Sequence, residues 1–178
     1  GETLPITEKK EDWFKFSVEA RARIEQRNQQ GLDNSWAGTF RIKPGLFVGK
    51  EEGFAGFVQT EHTLAFIDDY NSGPQRQLTP NKAGNTNIFD PESNELNQLY
   101  GQYTGHGALA RVGRQRIIYD NAAFIGNVGC RQNEQTFDAA LLNYENESLS
   151  VKYAYMNRVN RIFGSDAEFG AKSLQGDS

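Results

Sequence analysis

An all-β antiparallel barrel that crosses a membrane with its strands is the fold class this sequence predicts. Three observations carry it. Residues 14 to 25 read Phe-Lys-Phe-Ser-Val-Glu-Ala-Arg-Ala-Arg-Ile-Glu. Side chains alternate faces in a strand, so Phe14, Phe16, Val18, Ala20, Ala22 and Ile24 share one face and Lys15, Ser17, Glu19, Arg21, Arg23 and Glu25 the other. The run is long enough for a tilted crossing of a bilayer, with one face toward lipid and one toward a watery lumen. Second, short turns alternate along the chain with long loops, as in outer-membrane barrels. Third, the composition is too polar for membrane helices. Of 178 residues 37% are apolar, the mean hydropathy is −0.68, and no apolar run approaches the length of about 18 residues that a spanning helix needs. A soluble sandwich also alternates apolar and polar, but rarely over such a length and with so dense a charge.

The elements follow in order. Residues 1–12 are polar and read as a lead-in. Strand one covers about residues 13–27, and Asn28 to Ser35 is a turn rich in Asn, Gln, Gly and Asp. Strand two, about 36–49, sets Trp36, Phe40, Ile42, Leu46 and Val48 against Thr39, Arg41 and Lys43. Pro44 within it predicts a bulge or a missing ladder bond. Glu51-Glu52-Gly53 is a short turn. Strand three, about 54–67, sets Phe54, Val58, Leu64 and Phe66 against Phe57, Gln59 and Glu61, with His62 a departure on the apolar face.

Residues 68–95 lack periodicity, are rich in Asp, Asn, Gly and Pro, and read as a long outside loop. Strand four covers about 96–104, Gly105-His106-Gly107 is a tight turn, and strand five covers about 108–118. Residues 119–135 form a second long loop. Strand six, about 136–145, and strand seven, about 149–158, flank a turn at 145–148. Residues 165–178 read as loop or tail. Seven strands are legible. Single-chain bacterial barrels carry an even number from eight upward, so either one strand is missed or the chain is part of a larger barrel.

Two tracts carry a family resemblance. One runs from Gly113-Arg114-Gln115-Arg116-Ile117 through Asp120-Asn121 and Phe124 to Asp138. The other is Tyr153-Ala154-Tyr155 with Arg158-Val159-Asn160-Arg161-Ile162-Phe163-Gly164. Together with Asn97-Gln98 and Tyr100 they resemble the alginate-export family of outer-membrane barrel proteins, over roughly residues 13–164. The resemblance implies an 18-stranded barrel, of which this chain is the N-terminal portion. It implies the bacterial outer membrane and passive diffusion or export of polyanionic or neutral saccharides through an arginine-rich lumen, which points to anionic solutes, acidic saccharides among them.

The site residues follow. Arg21, Arg23, Arg41, Lys43, Arg111, Lys152 and Arg158 lie on the polar faces of successive strands and would line the lumen, where exposed guanidinium contacts are each weak enough for a polyanion to exchange. Arg114, Arg116 and Arg131 join them from the 113–138 tract. Asp120, Asn121, Asn127, Gln132, Glu134 and Asp138 would form a salt-bridged constriction loop that sets selectivity. The bland reading is a solvated strand face and a loop held to the wall. Trp13, Trp36, Tyr103, Tyr153, Tyr155 and Phe163 suit an interfacial girdle; saccharide stacking is the sharper alternative.

Other function classes fall away. A net charge of −4 argues against nucleic-acid binding. The single Cys130 excludes an internal disulfide and has no histidine near it in sequence. His62 and His106 are too few for a metal site, and Asp68, Asp69 and Asp90 lack EF-hand spacing. Neither a phosphate loop nor a catalytic constellation is present, so no enzyme activity, cofactor or metal is expected. The start Gly-Glu-Thr-Leu-Pro lacks a signal-peptide pattern, as a mature exported chain would. Expected partners are the outer-membrane lipid, the solute and another chain completing the barrel. A binding or structural module that shares strands with another chain is the alternative.

Overall fold

The computed structural model describes residues 13–73, 78–118, 131 and 133–160, and the backbone of 173–175. Eight strands, β1 (Phe14–Arg27), β2 (Ser35–Gly49), β3 (Gly53–Asp69), β4 (Ser93–Gly105), β5 (Ala108–Gln115), β6 (Thr136–Glu145), β7 (Ser150–Asn160) and β8 (Ser173–Gln175), form one sheet. They pair in chain order and antiparallel throughout. The described residues form an open sheet, in which β1 and β8 are the edges.

The seven strands read from sequence are all present. β4 starts three residues earlier than the apolar pattern suggests, because Ser93, Asn94 and Glu95 pair with Thr63, His62 and Glu61 although none is apolar. The short β8 has no periodicity to announce it. At Pro44, which offers no N–H, pairing with β3 lapses and resumes in the same register at Gly45. His62 lies on the apolar face, where its ring nitrogens meet Thr60 and Asn94 at 3.0 and 2.9 Å.

One face of the sheet carries Phe16, Val18, Phe40, Leu46, Phe54, Leu64, Leu99, Val112, Leu142 and Tyr153, all exposed or half-buried. Phe16 is 82% and Phe54 81% exposed. A sandwich would bury this face, and among the described residues no second layer lies on it. A contiguous apolar face of this extent marks contact with lipid or another chain. The opposite face is covered by loops at one end, while Lys15, Ser17 and Lys152 on it stay exposed. The connections at one sheet end, 50–52, 106–107 and 146–149, are short; those at the other end, 28–34, 70–92 and 116–135, are long.

The 70–92 connection is ordered where it is described. Tyr70 and Ile88 pack on Ala37 in a small buried core, and Asp33 N–H and Thr86 N–H bond the Gly84 and Asp33 carbonyls. A second apolar cluster, Ile117, Phe137 and Ala139 with Leu141, Met156 and Val159, lies beside β6 and β7.

Candidate functional site

On the polar face, cross-strand register places Glu19 opposite Lys43, Arg21 opposite Arg41 and Arg23 opposite Thr39. Gln59 stands opposite Gln98 and Glu61 opposite Glu95. The chain just before β6 lies across this face. Arg131 reaches β1, with its guanidinium 3.6 Å from Glu25 and its carbonyl accepting from Arg21 at 3.1 Å. Asn133 Oδ1 accepts from Thr63 at 2.8 Å and Ser93 at 3.1 Å, and its Nδ2 donates to the Pro91 carbonyl.

Glu134 is the hub. Its carboxylate lies 2.9 Å from Lys43 Nζ, 2.7 Å from Arg116 and 2.6 Å from Asn97 Nδ2. Lys43 also reaches Glu19 at 3.0 Å, and Arg116 reaches it at 3.5 Å. Asn97 and Gln98 both donate to Gln59 Oε1. The side chains of Lys43 and Glu134 are 1% and 2% exposed, so the pair is desolvated. Burial alone would raise the Glu134 carboxyl, but the Arg116 hydrogen bond and the Lys43 charge outweigh it and lower it from 4.5 to about 2. Buried charges are tolerable only with this density of partners. Beside the hub, Glu61 is fully buried, and among the described residues neither carboxylate oxygen has a hydrogen-bond partner.

The 70–92 connection closes over the polar face at the long-loop end. Arg23 bonds Asp90 at 2.8 Å and pairs with Glu25, Arg27 donates to the Asn87 carbonyl, and Tyr70 donates to the Asp90 carbonyl. Burial is the main cause that pushes the Tyr70 hydroxyl up, so it stays a donor. At the short-turn end, the Arg111 guanidinium lies 4.2 Å from the Tyr100 ring and donates to Gln102.

Of the cations expected to line a lumen, Arg21, Arg23, Arg41, Lys43, Arg111, Arg116, Arg131 and Lys152 share the polar face or reach onto it. Arg114 and Arg158 do not, and neither does Asp138, which was expected in the constriction loop. Arg114 pairs across strands with Leu99 and Asp138, and Asp138 with Arg158, in the row that holds Phe16, Leu46 and Val58. For Arg114 the cause is parity, since Arg111 and Gln115 take the other face. For Arg158 it is a bulge at Asp138/Ala139, which turns the strand after Met156. Asp138 is therefore a strand residue of the apolar face. It accepts from Arg114 at 2.8 and 3.3 Å and from Asn160 at 3.0 Å. Asp138→Asn should cost about 1–2 kcal/mol by weakening a charge-assisted pair that is about a quarter exposed, read as a lowered urea midpoint of the folded protein.

Asp120, Asn121, Asn127 and Gln132, together with Cys130 and Phe163, lie outside the described residues. Trp13, Trp36, Tyr103, Tyr153 and Tyr155 are exposed, and Phe54 stacks on Tyr103 at 5.0 Å. Sequence reading missed Asn133, Gln59, Thr63 and Asn97 as the uncharged seat of the docked segment. The signal available was a run of polar residues on strand positions whose opposite-face neighbours are apolar.

The family model described as "Alginate export" matches residues 12–156 of this chain. No curated protein matches it, and no solved structure does.

Proposed function

This chain belongs to the alginate-export family, a family of outer-membrane transport proteins, and from that premise we propose that it forms part of the wall of a channel for acidic saccharides. The single observation that supports this most is the pairing of two unlike faces. An exposed apolar face suited to lipid backs a polar face across which residues 131 and 133–135 are latched through Glu134. In this reading the polar face lines the lumen and the latched segment narrows it, as a constriction loop does.

Every backbone group in hydrocarbon needs a partner, so the free edge of β1 calls for further strands to close the barrel. The family's 18-strand architecture would supply them, with the strands from β1 to β8 as barrel wall and 70–92 and 116–135 as outside loops. Arg21, Arg23, Arg41, Arg111, Arg131 and Lys152 would then raise the local anion concentration within low-dielectric walls. Exchange between neighbouring guanidiniums moves the solute without a deep trap, and no proton or electron transfer is needed.

The test is the reversal potential of the complete protein in a planar bilayer under a KCl gradient. Chloride should be preferred over potassium, and Arg21→Gln with Lys152→Gln should move the permeability ratio toward one. A cation preference, or a ratio that ignores both substitutions, overturns the reading.

A further inference from the structure

We infer that the polar face carries, at its short-turn end, a stacking subsite for one pyranose ring of an acidic saccharide. The inference rests on the channel reading for its location and deepens it by naming a binding surface. Phe47, Phe57 and Tyr100 stand directly opposite one another on β2, β3 and β4. They lie on the face of Lys15 and Gln102, away from lipid. Three aromatic rings in a row on a polar face are a cost in water unless something covers them. The Phe57 and Tyr100 rings are 5.3 Å apart and tilted by 36°, so they form a shallow shelf.

Gly45 lets the Phe57 ring and Ser17 pack close against β2. A Cβ at Gly45 would lie 2.6 Å from Ser17 Oγ and 3.0 Å from the Phe57 ring, so the ring leans into the place of the missing side chain. A cavity of about 410 Å³ lies beside the shelf, lined among others by Lys15, Ser17, Phe47, Phe57, Tyr100 and Gln102. That volume is within the range of small-molecule sites.

The rim supplies the rest of the chemistry. The Arg111 guanidinium lies over Tyr100 and is held by two bonds to Gln102 Oε1, at 2.9 and 3.2 Å. Lys15 pairs with Glu51 at the mouth, and both are largely exposed. A pyranose ring presents an apolar C–H face and a rim of hydroxyls, and a uronic acid adds a carboxylate. The C–H face would fit the shelf, hydroxyls would reach Gln102, and the carboxylate would meet Arg111, with Lys15 and Ser17 lining the far side of the cavity.

The test uses an alginate hexasaccharide added to the short-turn side of the complete protein in a planar bilayer, reading the residence time of each current block. Phe57→Leu, which keeps the apolar volume without the ring, and Tyr100→Ala should each shorten it about tenfold, while Tyr100→Phe keeps most of it. A neutral maltohexaose should block more briefly. Anion-selective conductance with residence times that ignore Phe57→Leu and Tyr100→Ala overturns the subsite and leaves the channel reading standing. Absence of conductance overturns the channel reading. Calorimetric binding of the same hexasaccharide to the detergent-solubilised protein then decides the subsite, with weakening in both variants supporting it and unchanged or absent binding overturning it.

Discussion

Glu134→Ala should loosen the latched segment on the polar face and cost about 3–5 kcal/mol of stability, the range for removing one partner of a buried charge pair. The reason lies in what remains. Lys43, 1% exposed, and Arg116 lose the acceptor that makes their burial tolerable, and Asn97 Nδ2 loses its 2.6 Å bond. Glu19 is the fallback, but it is nearly half exposed and already shared by both cations. In a bilayer the same variant should conduct more, because the chain across the sheet then keeps the contacts of Arg131 and Asn133 but loses those of Glu134. Lys43→Met combined with Glu134→Leu should recover much of the stability and still leave the segment loosened. Urea unfolding of the single and double variants checks the energetics, and single-channel conductance checks the latch. A single variant as stable and as conductive as the parent refutes this account.

The same pair fixes a pH window. The Glu134 carboxyl sits lower in the folded protein, at about 2, than its ordinary 4.5. The difference corresponds to about 3 kcal/mol, comparable with the mutational figure. A depressed carboxyl stabilises the fold above its unfolded value, so the contribution is present above about pH 4.5. It is lost as pH falls toward 2. The latch should therefore hold at neutral pH and loosen only in strong acid.

Much of the sheet was legible because period-2 alternation states both the strand and its faces. The run at 14–25 and the strands at 36–49 and 54–67 are examples, and the parity of Arg111 and Gln115 could have placed Arg114 on the apolar face. Arg158 could not be placed in that way. A bulge shifts parity by one residue, and nothing in Tyr-Met-Asn-Arg reveals it. Glu134 was legible as part of a charged tract, but its partners on β2 and β4 come from chain folding at separations that no local pattern encodes. The shelf of Phe47, Phe57 and Tyr100 was half visible. Phe57 already stood among Gln59 and Glu61 on the polar side, yet only register brings the three rings into one row.

Val18→Arg should cost about 2–4 kcal/mol in a bilayer, the penalty for a cationic side chain on the lipid face of a transmembrane strand near mid-depth. Val18 is 64% exposed, lies within the apolar row that runs from Phe14 to Ile24 on β1, and stands opposite Pro44 on β2. Ser17, one residue earlier, faces the polar side, so Ser17→Arg should change stability by no more than about 0.5 kcal/mol. The comparison is sharp because neighbours in the same strand receive the same substitution, and only the face differs. Urea titration of the complete protein folded into lipid vesicles reads both variants. Equal costs would mean that lipid does not cover the apolar face. A partner chain there would still penalise Val18→Arg, but it would do so in detergent-free buffer as well, where a barrel wall with this exposed face should aggregate. The Val18 penalty tied to the bilayer therefore separates a membrane wall from a strand-sharing module in a soluble assembly.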